Sequence, residues 1–469
     1  MATHRLEQPT IAPEGDRSFW LRDLGAGPAT QPFVGEAECN VAIVGGGYTG
    51  LWTALRLKEQ APELRVTILE ADFCGGGASG RNGGQVHSWF AEIDLLTRLV
   101  GPDEALMLCH ATAEAIEELA GLQASGTIDM ELRLDGWLWT ASSRAQECAW
   151  EPAAAICRAR GEACLREIGR EEILARTGSG ASYMGVLEAR AGTVQPAKLA
   201  LGLRALALAR GVVIHEKSPV AEITSGQPCT LRMGRGVLRA GKVVIASNAW
   251  AAALPALRRH LYVVDSQVIA TEPVGDTLDR IGWTGGESIC DAQAHVLYYQ
   301  RTTGGRVIFG RGSGNVAYGN RFGAAFNRRP GGGEDNLREM HRVYPELRGA
   351  RIAADWSGPI DCSAEHLPVF GHLPGEPDIL FGVGFNGTGI AQTPVAGRIL
   401  ASLALGRDDR WSRCGLVGLD RRTVLPPEPI RTLGARVVRR AIRIRNDLEI
   451  GNRTAGPLVR WLSSLTPGR

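Results

Sequence analysis

Val41–Gly50 reads VAIVGGGYTG, an apolar run that breaks into glycines at positions 45, 46, 47 and 50. Gly45, Gly47 and Gly50 match the dinucleotide fingerprint G-x-G-x-x-G, and the flanking sequence gives the match its weight. Cys39–Val44 (CNVAIV) has the composition of a strand, and Leu51–Glu59 (LWTALRLKE) has helical periodicity. A second strand, Arg65–Leu69, ends in Glu70, about twenty-five residues beyond Gly45. In such a βαβ unit Gly45 permits the sharp turn, Gly47 lets the backbone approach a pyrophosphate, and Gly50 lets helix and strand pack closely. The pyrophosphate rests on amides at the helix N-terminus, where Tyr48 and Thr49 sit. Glu70, followed by Ala71, accepts hydrogen bonds from an adenosine ribose and disfavours a 2′-phosphate, which speaks against NADP.

A second match lies in CGGGASGRNGGQ (residues 74–85), at Gly75, Gly77 and Gly80. No strand runs directly into it and no helical pattern follows, so it reads as a loop. Its glycines let backbone amides approach something flat and bulky, with Arg81, Asn82 and Gln85 able to bond to it. A third glycine-rich segment follows near the other end: a strand at Ile379–Val383 (ILFGV), a turn at Gly384–Gly389 (GFNGTG) and an amphipathic helix over Ile390–Gly406. Only tertiary folding can bring it to the first fingerprint.

Composition narrows the function classes. A chain of 469 residues, 44% of them hydrophobic, suggests two or three domains around a large core. The net charge of +2 gives no general reason to expect nucleic acid. Of the 52 basic residues four are lysine, at positions 58, 198, 217 and 242. The ten cysteines are scattered singly, without the spacing of a metal site or a disulfide framework. The N-terminus has no apolar signal core and no window suits a membrane span, which predicts a cytoplasmic location.

Together the three glycine-rich segments resemble the FAD-dependent amine and amino-acid oxidoreductases of the D-amino-acid oxidase superfamily, over most of residues 38–407. ASGRNGGQ (Ala78–Gln85) looks most like the branch of the γ-glutamylputrescine oxidases. The resemblance implies an α/β fold: a Rossmann-like FAD-binding domain of the glutathione-reductase type with an inserted, mostly antiparallel β-sheet substrate domain. The FAD domain would take residues 38–100, 186–257 and 346–407, the substrate domain 101–185 and 258–345, and a basic helical extension 408–469. It further implies that Ala78, Ser79, Arg81, Asn82, Gly83, Gly84 and Gln85 lie along the flavin. Val220 brings a backbone contact to the adenine, and Ser247 and Asn248 follow the last sheet strand. Gly358, in WSG, leads to the final turn, where Gly384, Asn386, Gly387, Thr388, Gly389 and Ile390 approach the isoalloxazine.

The implied activity is oxidation of the C–N bond of a primary or secondary amine, with an amino acid, ω-amino acid, γ-glutamylated polyamine or aminophosphonate as substrate. The imine hydrolyses to an aldehyde or keto acid plus ammonia or an amine, and dioxygen becomes hydrogen peroxide. Two alternatives stay open: a dehydrogenase of the same fold passing electrons to a quinone or carrier, and a flavin-binding protein without turnover. The sequence departs from sarcosine-oxidase-like relatives in three places. Ala391 stands where they bind a carboxylate with lysine, Ser357 stands where they attach flavin to cysteine, and no lysine follows Lys242. Non-covalent FAD is therefore expected. Tyr298, Tyr299 and Arg301, in HVLYYQRTTGGRVIFGRG, are the substrate-binding candidates; this stretch reads as a hairpin turning near Thr303–Gly305. The two tyrosines must face opposite sides of the sheet. Arg301 is the first choice to receive an acidic substrate group. His295 and His366 read as structural. Residues 408–469 hold thirteen arginines against six acids, and a basic helix after PPEP suits docking on the protein's own surface, a partner or an anionic membrane.

Overall fold

The first glycines do what their spacing implies. In the computed structural model, which describes residues 2–7, 9, 17–25, 29–312, 314–323, 326 and 332–465, the strand Gly35–Val44 ends at the turn and the helix Tyr48–Gln60 leaves it. Gly45 has φ of 114°, where L side chains rarely go. A Cβ on Gly50 would collide with the Gly45 carbonyl, so only glycine lets this helix cross its strand so closely.

A nine-stranded mixed sheet grows from that strand. Its parallel partners are Val66–Leu69 on one side and Gly236–Ile245 on the other. Val213–His215 extends the first side and Glu376–Val383 joins the second, both parallel. Where these strands lie side by side, at 41–44, 66–69 and 243–245, they are buried and almost wholly apolar because helices cover them. The helix Gln392–Ala404 is shorter than the expected Ile390–Gly406, and it is buried nearly all round rather than amphipathic. It packs against Tyr48–Gln60, where a Cβ on Gly397 would press on the Trp52 backbone. An unexpected strand, Thr3–Arg5, pairs with Val220–Thr224 at the sheet edge.

The second sheet has eight strands, antiparallel apart from the pairing of Trp137–Ala141 with Ser288–Asp291. The hairpin forms as expected: Leu297–Arg301 pairs with Val307–Arg311, and the Thr302 amide donates to the Arg306 carbonyl at 2.9 Å. Thr271 ends the strand Leu261–Thr271, and the chain bends into the helix Gly275–Arg280. Two boundaries also move. Ile352–Ser363, grouped from sequence with residues 346–407, pairs along the full length of Leu261–Thr271 in the second sheet. The helix Pro102–Ala124, grouped with the substrate part, packs its apolar face into the first domain's core beside Trp52 and Ile399. In both cases only tertiary packing decided which layer the element joined.

Candidate functional site

The loop 74–85 lies where the two sheets meet, held by its own carbonyls. Four consecutive carbonyls accept from side chains of three different segments. Ser18 Oγ donates to Gly80 at 2.5 Å, Trp356 Nε1 to Arg81 at 2.8 Å, Trp20 Nε1 to Asn82 at 2.9 Å, and Gln300 Nε2 to Gly83. Ser79 Oγ accepts from the Tyr48 amide at 2.9 Å, which ties the loop to the first helix. None of these anchors was evident from sequence, because each is a single polar side chain distant from the loop.

Two cavities flank the loop. The smaller, about 130 Å³, is lined by Gly45, Gly47, Glu70, Ala71, Val220, Ser247 and Asn248. The larger, about 790 Å³, takes in Arg81, Asn82, Gly83, Gln85, Gly358 and the turn Asn386–Ile390. Tyr48, Thr49, Ala78, Ser79, Arg81 and Asn248 line both, so the two are continuous in their walls. Gly50, Gly84 and Gly384 line neither. Gly50 and Gly84 are packing glycines, the latter pressed against Gln300 and the Val194 carbonyl. Gly384 anchors the final turn, its amide donating to Asp361 Oδ2 at 2.5 Å. Burial raises the Asp361 carboxyl to about 7. Glu70 accepts from the Gly46 amide at 2.6 Å and the Asp72 amide at 2.8 Å, and burial raises it to about 6.

The strand Leu297–Arg301 sorts the three substrate candidates by its twofold period. Tyr298 faces the larger cavity and bonds Ser266 Oγ at 2.9 Å. Tyr299 faces the opposite core, stacked on Phe309 with centroids 5.2 Å apart. Arg301 shares the side of Tyr299, so its expected role is corrected: it pairs with Asp279 at 2.6 Å, caps the Trp283 carbonyl and lines neither cavity. Ala391 is fully buried and also lines neither.

Part of the larger cavity's lining was missed from sequence. It carries His87, Glu92, Asp94, Trp137, Trp139 and Asp291. His87 stacks on Trp137 at 4.9 Å, and its Nδ1 lies 3.1 Å from the Ser88 carbonyl. A carbonyl only accepts, so Nδ1 carries the proton and Nε2 keeps its lone pair. Burial lowers the His87 pKa, so the ring is neutral near pH 7. Burial also raises Asp291 to about 6 and, with help from Glu188 and Asp94, Glu92 to about 8. The arginines of this lining are engaged: Arg98 pairs with Asp94 at 2.9 Å, and Arg81 donates to the carbonyls of Gly76 and Ser357.

Residues 40–403 match the family model described as FAD dependent oxidoreductase. Gamma-glutamylputrescine oxidoreductase of Escherichia coli (strain K12) is 30% identical over 376 residues, 80% of this chain and 85% of the relative. Glycine oxidase of Geobacillus kaustophilus (strain HTA426) is 28% identical over 385 residues, 78% of this chain and 92% of the relative. The crystal structure of glycine oxidase from Geobacillus kaustophilus superposes with a TM-score of 0.65 at 23% identity, over 79% of this chain and 96% of that one.

Two outcomes are expected. Gly47→Val should purify colourless, since a Cβ there already stands 3.0 Å from Ser79 Oγ and a larger side chain fills the smaller cavity; visible absorbance per protein measures it. The second concerns pH. Asp361 titrates near 7 folded, against about 3.9 in an unfolded chain. Its contribution is thus complete below the unfolded value and is lost as pH rises through 7. Urea unfolding at pH 5 and pH 8 should show a loss of up to about 2.5 kcal/mol from this group, a loss that Asp361→Asn removes.

Proposed function

The chain belongs to the FAD-dependent oxidoreductase family, and on that premise we propose that it oxidises the C–N bond of a primary or secondary amine. The residues present suit the cofactor. Ser247 Oγ is buried beside the smaller cavity with no partner among the described residues, and the continuous walls accommodate an elongated dinucleotide. In this reading the amides near Gly47, Tyr48 and Thr49 hold the pyrophosphate, Glu70 and Ala71 the ribose, and Val220 the adenine. The loop Ala78–Gln85, Gly358 and the turn Asn386–Ile390 hold the flavin ring. Attachment is non-covalent: Ser357 bears no thiol, and Cys290, the cysteine of the larger lining, is raised by burial to about 12 and stays protonated.

The observation that carries the amine is the chemistry of the larger cavity's lining. Asp291, raised to about 6 and so ionised near pH 7, draws in a cation, and Trp137 and Trp139 offer it aromatic faces. His87 Nε2, with its lone pair free, accepts a hydrogen bond from the amine. Bound FAD supplies the two-electron oxidation to an imine, which water hydrolyses to an aldehyde or keto acid. The relatives' names, gamma-glutamylputrescine oxidoreductase and glycine oxidase, both refer to compounds with an amino group. The electrons pass to dioxygen and give hydrogen peroxide. A second reading, a dehydrogenase serving a quinone or carrier, is favoured by one feature: no lysine follows Lys242, so the second sheet's strands beyond it supply no ammonium to the cavity.

Anaerobic mixing with γ-glutamylated polyamines, ω-amino acids, aminophosphonates and simple amino acids should bleach the flavin with at least one of them. Peroxide yield in air then separates oxidase from dehydrogenase, and silence from all would contradict the proposal. Acid precipitation should leave FAD in the supernatant. Arg301→Met should change KM for the best amine by less than about twofold, because its half-exposed pair is worth roughly 1 kcal/mol of stability and touches no substrate.

A further inference from the structure

The C-terminal helices Ile430–Ile450 and Pro457–Ser464 pack together and are fastened to the body. Arg431 donates to the carbonyls of Arg258 and Leu261 at 2.8 and 3.1 Å, and Glu428 accepts from the Gly319 amide at 2.9 Å. The longer helix turns Thr432, Ala441, Ile442 and Asn446 inward. That accounts for one face.

The outward face is not what water favours. Of the thirteen large apolar side chains exposed among the described residues, eight lie between Val424 and Leu465. Leu433, Val437 and Ile444 recur at intervals of four and seven, and Leu458, Trp461 and Leu465 at three and four. Each set forms one stripe along its helix, and the six side chains are between 40% and 66% exposed. Arginines border the stripe: Arg436, Arg440 and Arg443 are exposed on the same side of the longer helix, with no ion pair among the described residues, and Arg460 is exposed on the shorter one. One apolar stripe flanked by arginines and a second carrying a tryptophan have the chemistry of elements lying at a lipid–water boundary.

We propose that this face docks flat on an anionic phospholipid bilayer. No helix of the described residues is long and apolar enough to cross a membrane, so the contact is peripheral. A second copy of the chain is a poorer occupant, because a symmetric pairing sets the same arginines against one another. The apolar stripe enters the headgroup boundary while the guanidinium groups meet lipid phosphates, each basic residue near the surface strengthening the attraction.

The test is flotation of the FAD-loaded protein with phosphatidylcholine vesicles, with and without phosphatidylglycerol. Partitioning should rise about tenfold or more with the anionic lipid and fall with salt. Replacing Arg436, Arg440 and Arg443 by Gln should remove most of that gain. Val437→Glu with Trp461→Glu should abolish binding even at low salt. Both variants alter exposed side chains, so flavin content and melting temperature should match the wild type and separate lost docking from lost folding. Equal binding to neutral and anionic vesicles, binding to neither, or wild-type binding by the variants would overturn the proposal. So would a concentration-dependent dimer that Val437→Glu dissolves.

Discussion

The carbonyl of Gly45 occupies the space that a side chain on Gly50 would need, and the rest of the molecule is arranged around that close approach. Because the helix Tyr48–Gln60 can lie directly on its strand, its N-terminus opens into a cavity rather than against side chains. The same helix then receives Gln392–Ala404 through Gly397, which brings the final glycine-rich turn, from the far end of the chain, to the first one. Two segments more than three hundred residues apart in sequence thereby share one cavity system.

The loop between them shows a different kind of dependence. Glycine-rich backbone is permissive and costs conformational entropy to order. Here that cost is offset by side chains that bind its carbonyls one after another, from Ser18, Trp356, Trp20 and Gln300. The loop belongs to neither sheet, yet Gln300 and Trp356 of the second sheet and the start of the helix Phe19–Leu24 hold it. The larger cavity is lined by that loop together with Trp137 and Trp139.

Much of the smaller cavity's lining was legible in the sequence because its signals are local: a strand, glycines at fixed spacing, a helix and an acid at the next strand end. Glu70, Val220 and Ser247 all reach it. The larger cavity was less legible. Arg301 failed as a site residue although the hairpin carrying it formed as expected, because strand alternation fixes that two residues differ in side and not which side faces the cavity. His87, Glu92 and Asp291 escaped notice since nothing in their neighbourhoods marks them; they become a set only when the Ser288–Asp291 strand pairs with Trp137–Ala141. The C-terminal helix was evident from periodicity, but the uncovered stripe on it required knowing which face the body had taken.

The central claim is that the two cavities form one dinucleotide site with the reactive end against the acidic, aromatic wall. A crystal structure of the FAD-loaded protein tests it most directly. The account predicts adenosine beside Glu70 and Val220, and the isoalloxazine between the Ala78–Gln85 loop and the Asn386–Ile390 turn with one face toward Tyr298. Electron density with the ring in the smaller cavity, or with no cofactor in contact with Gly47, would contradict it.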